Sequence, residues 1–294
     1  MFSYASAFMS LLLASAAAWP ADADESGRFL RATYLLGSDE DFGSRAGIRG
    51  REYGLAAGFG DFALGPGRLS AGLDYRYTRY EFRQLESRDW DLHWLRLPLT
   101  WQNDLDSYRI HAEVAPGVAS SSNRFKEPAD YTSDDIHATA RLDFITAGSA
   151  TLRWTAGVAY DRRFGRPLLY PTGGAIFESA RGWKLRLVAP DPGIAYEQNP
   201  RVHWFASLAP AGHRWHAFNE AAGSVFDFEA RAWRATVGGE LRVLDELSIR
   251  FFAGREFSRH YEFIDDTGKR VDEDAADAGF AGLSIVVPAS ANGP

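Results

Sequence analysis

The 294-residue chain has no cysteine, which removes disulfide frameworks, thiol chemistry and a lipid-anchored cysteine from consideration. Positive charge is not in surplus: 32 Lys and Arg stand against 39 Asp and Glu, a formal net charge of −7. No basic patch stands out, so nucleic acid is not expected as a partner. Long hydrophobic runs are missing too. The one apolar stretch, Phe8 to Ala18, is too short to cross a bilayer as a helix. There is no Walker motif, dinucleotide fingerprint, EF-hand loop or long-period repeat. No cofactor is therefore expected.

What the N-terminus does carry resembles a secretory signal. Phe8 to Ala18 has the length of an h-region, and Ala21-Asp22-Ala23 offers a small-x-small cleavage site before Asp24. Ala16-Ala17-Ala18 is a second such site, and no Lys or Arg precedes the apolar run. Residues 1–23 are expected to be a cleaved signal peptide and 24–294 a single exported domain.

The remainder alternates between apolar and polar residues. Leu69-Ser70-Ala71-Gly72-Leu73-Asp74-Tyr75-Arg76-Tyr77 and Ile136-His137-Ala138-Thr139-Ala140-Arg141-Leu142-Asp143-Phe144 are clear runs. Period-two alternation gives a strand one apolar and one polar face. In a soluble sandwich the apolar face turns inward; in an outer-membrane barrel it turns to lipid and the polar face lines the lumen. A mean hydropathy of −0.28 suits either. Three features favour the barrel. Aromatics make up 14% of the chain, enough for interfacial girdles. The runs reach the 9–11 residues or so that a tilted spanning strand needs. Connections alternate between short turns, such as Leu64–Gly67 and Leu244-Asp245, and longer polar loops, such as Gly37–Ile48, Ser121–Ser133, Asp191–Asn199 and Ile264–Asp274.

The expected fold is all-β: a transmembrane up-and-down antiparallel barrel of about 14 strands, near residues 27–36, 49–62, 67–84, 89–103, 106–120, 134–148, 150–164, 171–179, 183–191, 200–209, 213–219, 227–243, 246–263 and 275–287. Prolines 171, 190, 192, 200 and 210 interrupt the middle of the chain, and merging two short strands there gives 12. A soluble β-sandwich is the rival architecture.

On the strand Trp94-Leu95-Arg96-Leu97-Pro98-Leu99, the segment Pro190-Asp191-Pro192-Gly193-Ile194-Ala195-Tyr196 and the stretch Gly254-Arg255-Glu256-Phe257, the chain resembles a Gram-negative outer-membrane β-barrel. More narrowly, it is similar to an uncharacterised family of proteobacterial outer-membrane barrels. The resemblance implies a fold and a location in the outer membrane, and no catalytic residue set. One feature departs from barrel habit: the last strand ends on Val287 rather than an aromatic residue, before a tail to Pro294.

By alternation, Arg76, Arg96, Arg109, Arg141, Arg153, Arg234, Arg242 and Arg250 face the lumen as candidate pore-lining residues, with Lys184 and Arg186 beside them. Asp74, Glu113, Asp143, Asp161 and Glu240 oppose them. Such cations focus anionic solutes, or else pair across strands and fill a closed barrel. His93, His111, His137 and His203 are placed on the lumen face, and His213, His216 and His260 in solvated turns or loops. His203 and Ser207, with Asp227 and Glu229 on a later strand, form no recognisable catalytic set, so no enzyme activity is expected. No metal site is expected either. The acidic loops Asp39-Glu40-Asp41, Asp265-Asp266 and Asp272-Glu273-Asp274 suit solvent or cation bridges to lipopolysaccharide. The leading function is a passive channel or small-solute uptake pore. The alternatives are a non-conducting structural or adhesion barrel and, third, a lipid-acting enzyme. The expected partners are outer-membrane lipid and lipopolysaccharide, the barrel assembly machinery and a small-molecule solute.

Overall fold

The computed structural model describes residues 28–42, 46–83, 90–146, 149, 151–219 and 223–288. The expected signal peptide lies outside them. Eighteen strand segments form one sheet that closes on itself as a ring of 14 strands, because four strands are broken in two. In chain order these are β1 (Arg28–Gly37, then Glu40–Phe42), β2 (Ala46–Leu64), β3 (Gly67–Arg83) and β4 (Trp90–Arg96, then Leu99–Asp104). Next come β5 (Tyr108–Ser121), β6 (Ile136–Thr146), β7 (Leu152–Asp161), β8 (Leu168–Glu178) and β9 (Trp183–Ala189). The last are β10 (Gly193–Asn199), β11 (Val202–Pro210, then His213–Asn219), β12 (Ser224–Leu244), β13 (Leu247–Asp265) and β14 (Arg270–Ala275, then Ala278–Pro288). One helical turn, α1 (Ser122–Phe125), follows β5. Closure runs antiparallel from Phe29↔Pro288 to Gly37↔Phe280. A closed ring leaves no edge with unpaired backbone groups, as a span through lipid requires.

Local sequence sets the breaks. Pro98 has no N–H to give the ladder, so β4 jogs there. Hydrogen bonds from Gly72 N to Pro98 O (2.9 Å) and Leu97 N to Pro116 O (2.9 Å) carry the pairing past it. The β2–β3 turn is tight because Gly65 adopts φ +58, a region L side chains avoid.

The strand count agrees with expectation, but one strand was missed and another was divided in two. Residues 193–199, expected as a loop, are strand β10, paired to β9 and β11. Residues 200–209 and 213–219 are two halves of one strand, and Pro210-Ala211-Gly212 is a bend rather than a turn. Pro190, Pro192 and Pro200 sit in the bends on either side of β10, Pro171 lies within β8 opposite Val158, and Pro210 ends the lower half of β11.

Faces follow the alternation. Leu97 (49% exposed), Val158 (47%), Val237 (60%) and Leu241 stand outward among the exposed side chains. Outward aromatics pair near the lower rim, with Trp183 stacked on Tyr196 at 4.6 Å and Trp204 against Phe251 at 5.8 Å. Nearer the upper rim, Tyr34 meets Tyr53 at 5.0 Å and Tyr53 meets Tyr77 at 5.7 Å. An apolar band between two aromatic girdles defines a transmembrane β-barrel of the outer-membrane type.

The wall is uneven. β12 has 21 residues and β2 and β13 have 19, whereas β9 and β10 have 7. On the low side the upper half of β11 leaves the line of its lower half at Ala211-Gly212. It stays paired with β12, from His213↔Ala230 to Asn219↔Ser224, and meets β5 through a parallel bridge at His216↔Ser120. The tall strands therefore close above β6–β10 as a second, narrower ring. Gly212 makes the bend, since a Cβ there would lie 2.6 Å from Gly165 N and 2.7 Å from both Ala230 O and Arg163 O.

Candidate functional site

The eight candidate arginines lie on the face of their strands opposite the exposed apolar residues. Most are held in ion pairs. Arg96 binds Asp74 at 3.0 Å and Glu113 at 3.5 Å, and Arg250 binds Glu240 at 2.7 Å. Arg234 joins Glu52 at 2.7 Å and Glu256 beside it. Arg109 pairs with Asp104, Arg141 with Asp143 and Arg153 with Glu178. Several of these stand directly opposite in the ladder, as Asp74↔Arg96, Arg234↔Glu256 and Glu240↔Arg250 do. Neighbouring strands thus supply the counter-charge that buried guanidinium needs.

Two of the eight differ. Arg76 has no carboxylate oxygen within 4.0 Å among the described residues and lies 5.2 Å over the Trp94 ring. Arg242 is exposed near the lower end of β12. Sequence reasoning passed over Arg31, Arg162, Arg163 and Glu52. Arg31 alternates with exposed Leu30 and Tyr34, so the period-two signal was there to find it. Arg162 and Arg163 sit in the β7–β8 turn, where no periodicity applies. Arg163 binds Asp161 at 2.7 Å and Asp191 at 2.8 Å, and its carbonyl accepts from Gly212 N at 2.7 Å.

Inside the upper ring, inward aromatic side chains pack together. Phe228 lies 5.0 Å from Phe263 and from Trp90, 5.7 Å from Trp215 and 5.8 Å from Tyr261. With Tyr80, Leu92 and Ile48 they form one buried cluster. It occupies the outer end of the barrel axis, where burying aromatic area gives a dry, close-packed plug.

Beneath this plug lies a cavity of about 120 Å³ that opens toward solvent. Arg76, Arg162, Arg186, Trp94, His137 and His213 line it. Trp94 Nε1 donates to His137 Nε2 at 2.9 Å, and the backbone N–H of Arg214 donates to His213 Nδ1 at 2.9 Å. Each histidine therefore uses one ring nitrogen as an acceptor, which assigns its proton to the other.

The histidine expectations need three corrections. His93 faces outward, in register with Tyr77, stacked 4.6 Å from Phe125 of α1 and bonded through Nδ1 to Tyr75 Oη at 2.8 Å. His213 and His216 are buried, at 7% and 8% exposure, rather than solvated. The bend at Gly212 turns their segment into the barrel. His111 and His137 are buried on the inward face, and His203 lies on that face too.

His203, Ser207, Asp227 and Glu229 are not brought together. His203 is in register with Glu240 and Ser207 with Thr236 in the lower barrel. Asp227 binds His216 at 3.0 Å in the upper ring, and Glu229 accepts from Arg214 at 3.2 Å. Among the described residues no group of three or more His, Asp or Glu is placed to hold a metal ion. Of the acidic loops, Asp39 is engaged by Arg83 at 2.8 Å and Arg49 at 3.6 Å. Asp265 accepts from Thr267 Oγ1 at 2.6 Å and from the N–H groups of Lys269 (2.8 Å) and Thr267 (3.0 Å). These bonds, led by that from the Thr267 side chain, hold its carboxyl below the usual carboxylate range.

No family model and no curated protein matches the chain. Solved structures do resemble it. An outer-membrane channel from Pseudomonas putida F1 has 10% identity and a TM-score of 0.46, over 91% of this chain and 98% of that one. The toluene transporter TodX of P. putida has 11% identity and a TM-score of 0.42, over 90% and 91%. A Pseudomonas aeruginosa FadL homologue has 12% identity and a TM-score of 0.33, over 89% and 75%.

Proposed function

We propose that the chain is an outer-membrane channel for the uptake of small solutes, with its outer end closed by the aromatic plug in the state described. The observation that carries this reading is the mid-barrel cavity, a lumen space lined by charged groups within a fourteen-stranded wall. A packed structural barrel has no need of such a space. In this reading the eight arginines line the passage. Outer-membrane lipid and lipopolysaccharide surround it, and the assembly machinery inserts it after the signal peptide is removed. The plug supports a second reading, a non-conducting structural or adhesion barrel. Among the described residues His203, Ser207, Asp227 and Glu229 are not brought together, so no side-chain arrangement there supports enzymatic action on lipid.

Conductance in planar bilayers separates the two readings. Wild-type protein is expected to give small conductance steps. Trp215→Ala combined with Phe228→Ala, which hollows the plug, is expected to raise them severalfold. Silence of both proteins, each still heat-modifiable on gels, would remove the channel reading and favour the structural barrel.

A further inference from the structure

Several donors on the cavity lining have no partner. Arg76, Arg162 and Arg186 line it, and none has a carboxylate oxygen within 4.0 Å among the described residues. Three buried polar atoms on its lining residues also lack any hydrogen-bond partner: His137 Nδ1, His213 Nε2 and Thr139 Oγ1. The partners of the opposite ring nitrogens make His137 Nδ1 and His213 Nε2 the protonated ones, so both are N–H donors. A buried donor is costly to leave unpaired, and three together on one cavity point to an acceptor as its ligand. Nearby charge is otherwise spoken for, with Arg96 held between Asp74 and Glu113 and Arg163 between Asp161 and Asp191. Those two clusters each hold one more carboxylate than arginine. Arg234, which also lines the cavity, is held by Glu52 and Glu256 in a third such cluster, and the three unengaged guanidiniums balance these excess carboxylates in charge while touching none of them. Much of the remaining lining is apolar, including Trp94, Ala159, Ala209 and Pro210, beside the polar Arg141, Ser207, Arg234 and Thr236.

We infer that this cavity is a binding site for a single carboxylate carried on a compact apolar body, an aromatic or short alkyl acid. The carboxylate takes the guanidinium and histidine donors, and the apolar body lies against Trp94 and the small residues. Guanidinium meets carboxylate through paired, charge-assisted hydrogen bonds, and an apolar pocket with a few convergent polar groups is the ordinary form of a small-molecule site. The inference deepens the channel reading by giving the solute a chemical class. It does not require conduction.

Benzoate is the probe, titrated calorimetrically into the full barrel in detergent, with phosphate and benzyl alcohol as comparisons. Benzoate is expected to bind at least tenfold more tightly than either. Phosphate coming within tenfold would reduce the site to a general anion trap, and benzyl alcohol doing so would reduce it to an apolar pocket; either result overturns the proposal. Arg186→Gln and, on the β7–β8 turn, Arg162→Gln are each expected to weaken benzoate at least fivefold with the heat-modifiable form retained. Unchanged affinity in a folded variant overturns the proposal as well. If neither variant folds, the three-ligand comparison on wild type decides alone. Benzoate binding without conductance removes the channel and keeps the site; conductance without benzoate binding does the reverse.

Discussion

Asp135 has no exposed surface and precedes β6 in the connection from β5. Its carboxylate accepts from Arg124 Nε at 3.0 Å and Nη2 at 2.7 Å, from Thr132 N at 2.8 Å and from Thr132 Oγ1 at 3.0 Å. Burial alone would raise its pKa, but the bonds from Arg124 and Thr132 outweigh it, and the carboxyl is held below the usual range. A depressed folded pKa stabilises the folded form fully above the unfolded value of about 3.9, and that stabilisation is lost as pH falls through the lower folded value. Hydrogen exchange over residues 122–135, corrected for intrinsic rates, is therefore expected to hold steady from neutral pH to about 5 and to speed up only below about 4. Asp135→Asn removes charge-assisted bonds worth about 1.5–3 kcal/mol. Exchange there should rise tenfold or more at pH 7, and an unchanged rate would mean the bonds do not order the connection. At this scale the sequence was legible in part. Alternation placed the eight arginines on one face, because period two is a local property. It could not say which carboxylate each would meet, because a pair such as Arg234–Glu52 joins strands far apart in the chain, whose approach is set by closure of the ring. His93 was assigned by its polarity, against the alternation that puts it with Leu95 and Leu97. The structure gives it polar company outside, from Tyr75 and Ser122.

Strand β10 and the bend in β11 mark what local sequence conceals at the scale of an element. Glu197-Gln198-Asn199 and the flanking prolines give β10 the composition of a loop, yet it is paired from Gly193↔Ser207 to Asn199↔Val202. Ring closure imposes that pairing, since a gap at β10 would expose backbone to lipid. Pro210-Ala211-Gly212 has the composition of a turn and instead redirects a continuing strand. Its two halves share β12 as a neighbour, which only the register reveals. The upper half is also latched to the β5 end by Phe218 N to Ser121 Oγ at 3.0 Å and Asn123 Nδ2 to Phe218 O at 3.0 Å. Gly212→Val would press a branched side chain against three backbone atoms already within 2.7 Å of an ideal Cβ. The expected outcome is an assembled barrel in which exchange of residues 213–219 speeds up at least tenfold while β13 is unaffected. If 213–219 stays protected, the tight approach at Gly212 does not set the bend.

For the whole molecule, the inside–outside assignment decides everything built on the lumen. The fourteen-strand total matched expectation although one strand had been split and another missed, so the count alone is a weaker guarantee than the faces. Those faces can be tested by assembly. Leu97 and Val158 are about half exposed on the outer wall, in strands whose lower halves carry the outward aromatics Trp101 and Trp154. Arginine on the lipid face costs about 2–4 kcal/mol near the midplane and little in the lumen. Leu97→Arg and Val158→Arg are each expected to reduce the folded fraction in short-chain lipid vesicles, read as the heat-modifiable band. Arg76→Gln and Arg242→Gln should fold as wild type does. Neither of these two guanidiniums has a carboxylate within 4.0 Å among the described residues, so losing one strands no acid. Arg250→Gln should be worse than both, because it strips Glu240 of a partner in a site where both side chains are nearly sealed. Equal folding of the lipid-face and lumen sets would mean the apolar band is not in contact with lipid. The cavity and its arginines would then belong to a different kind of protein.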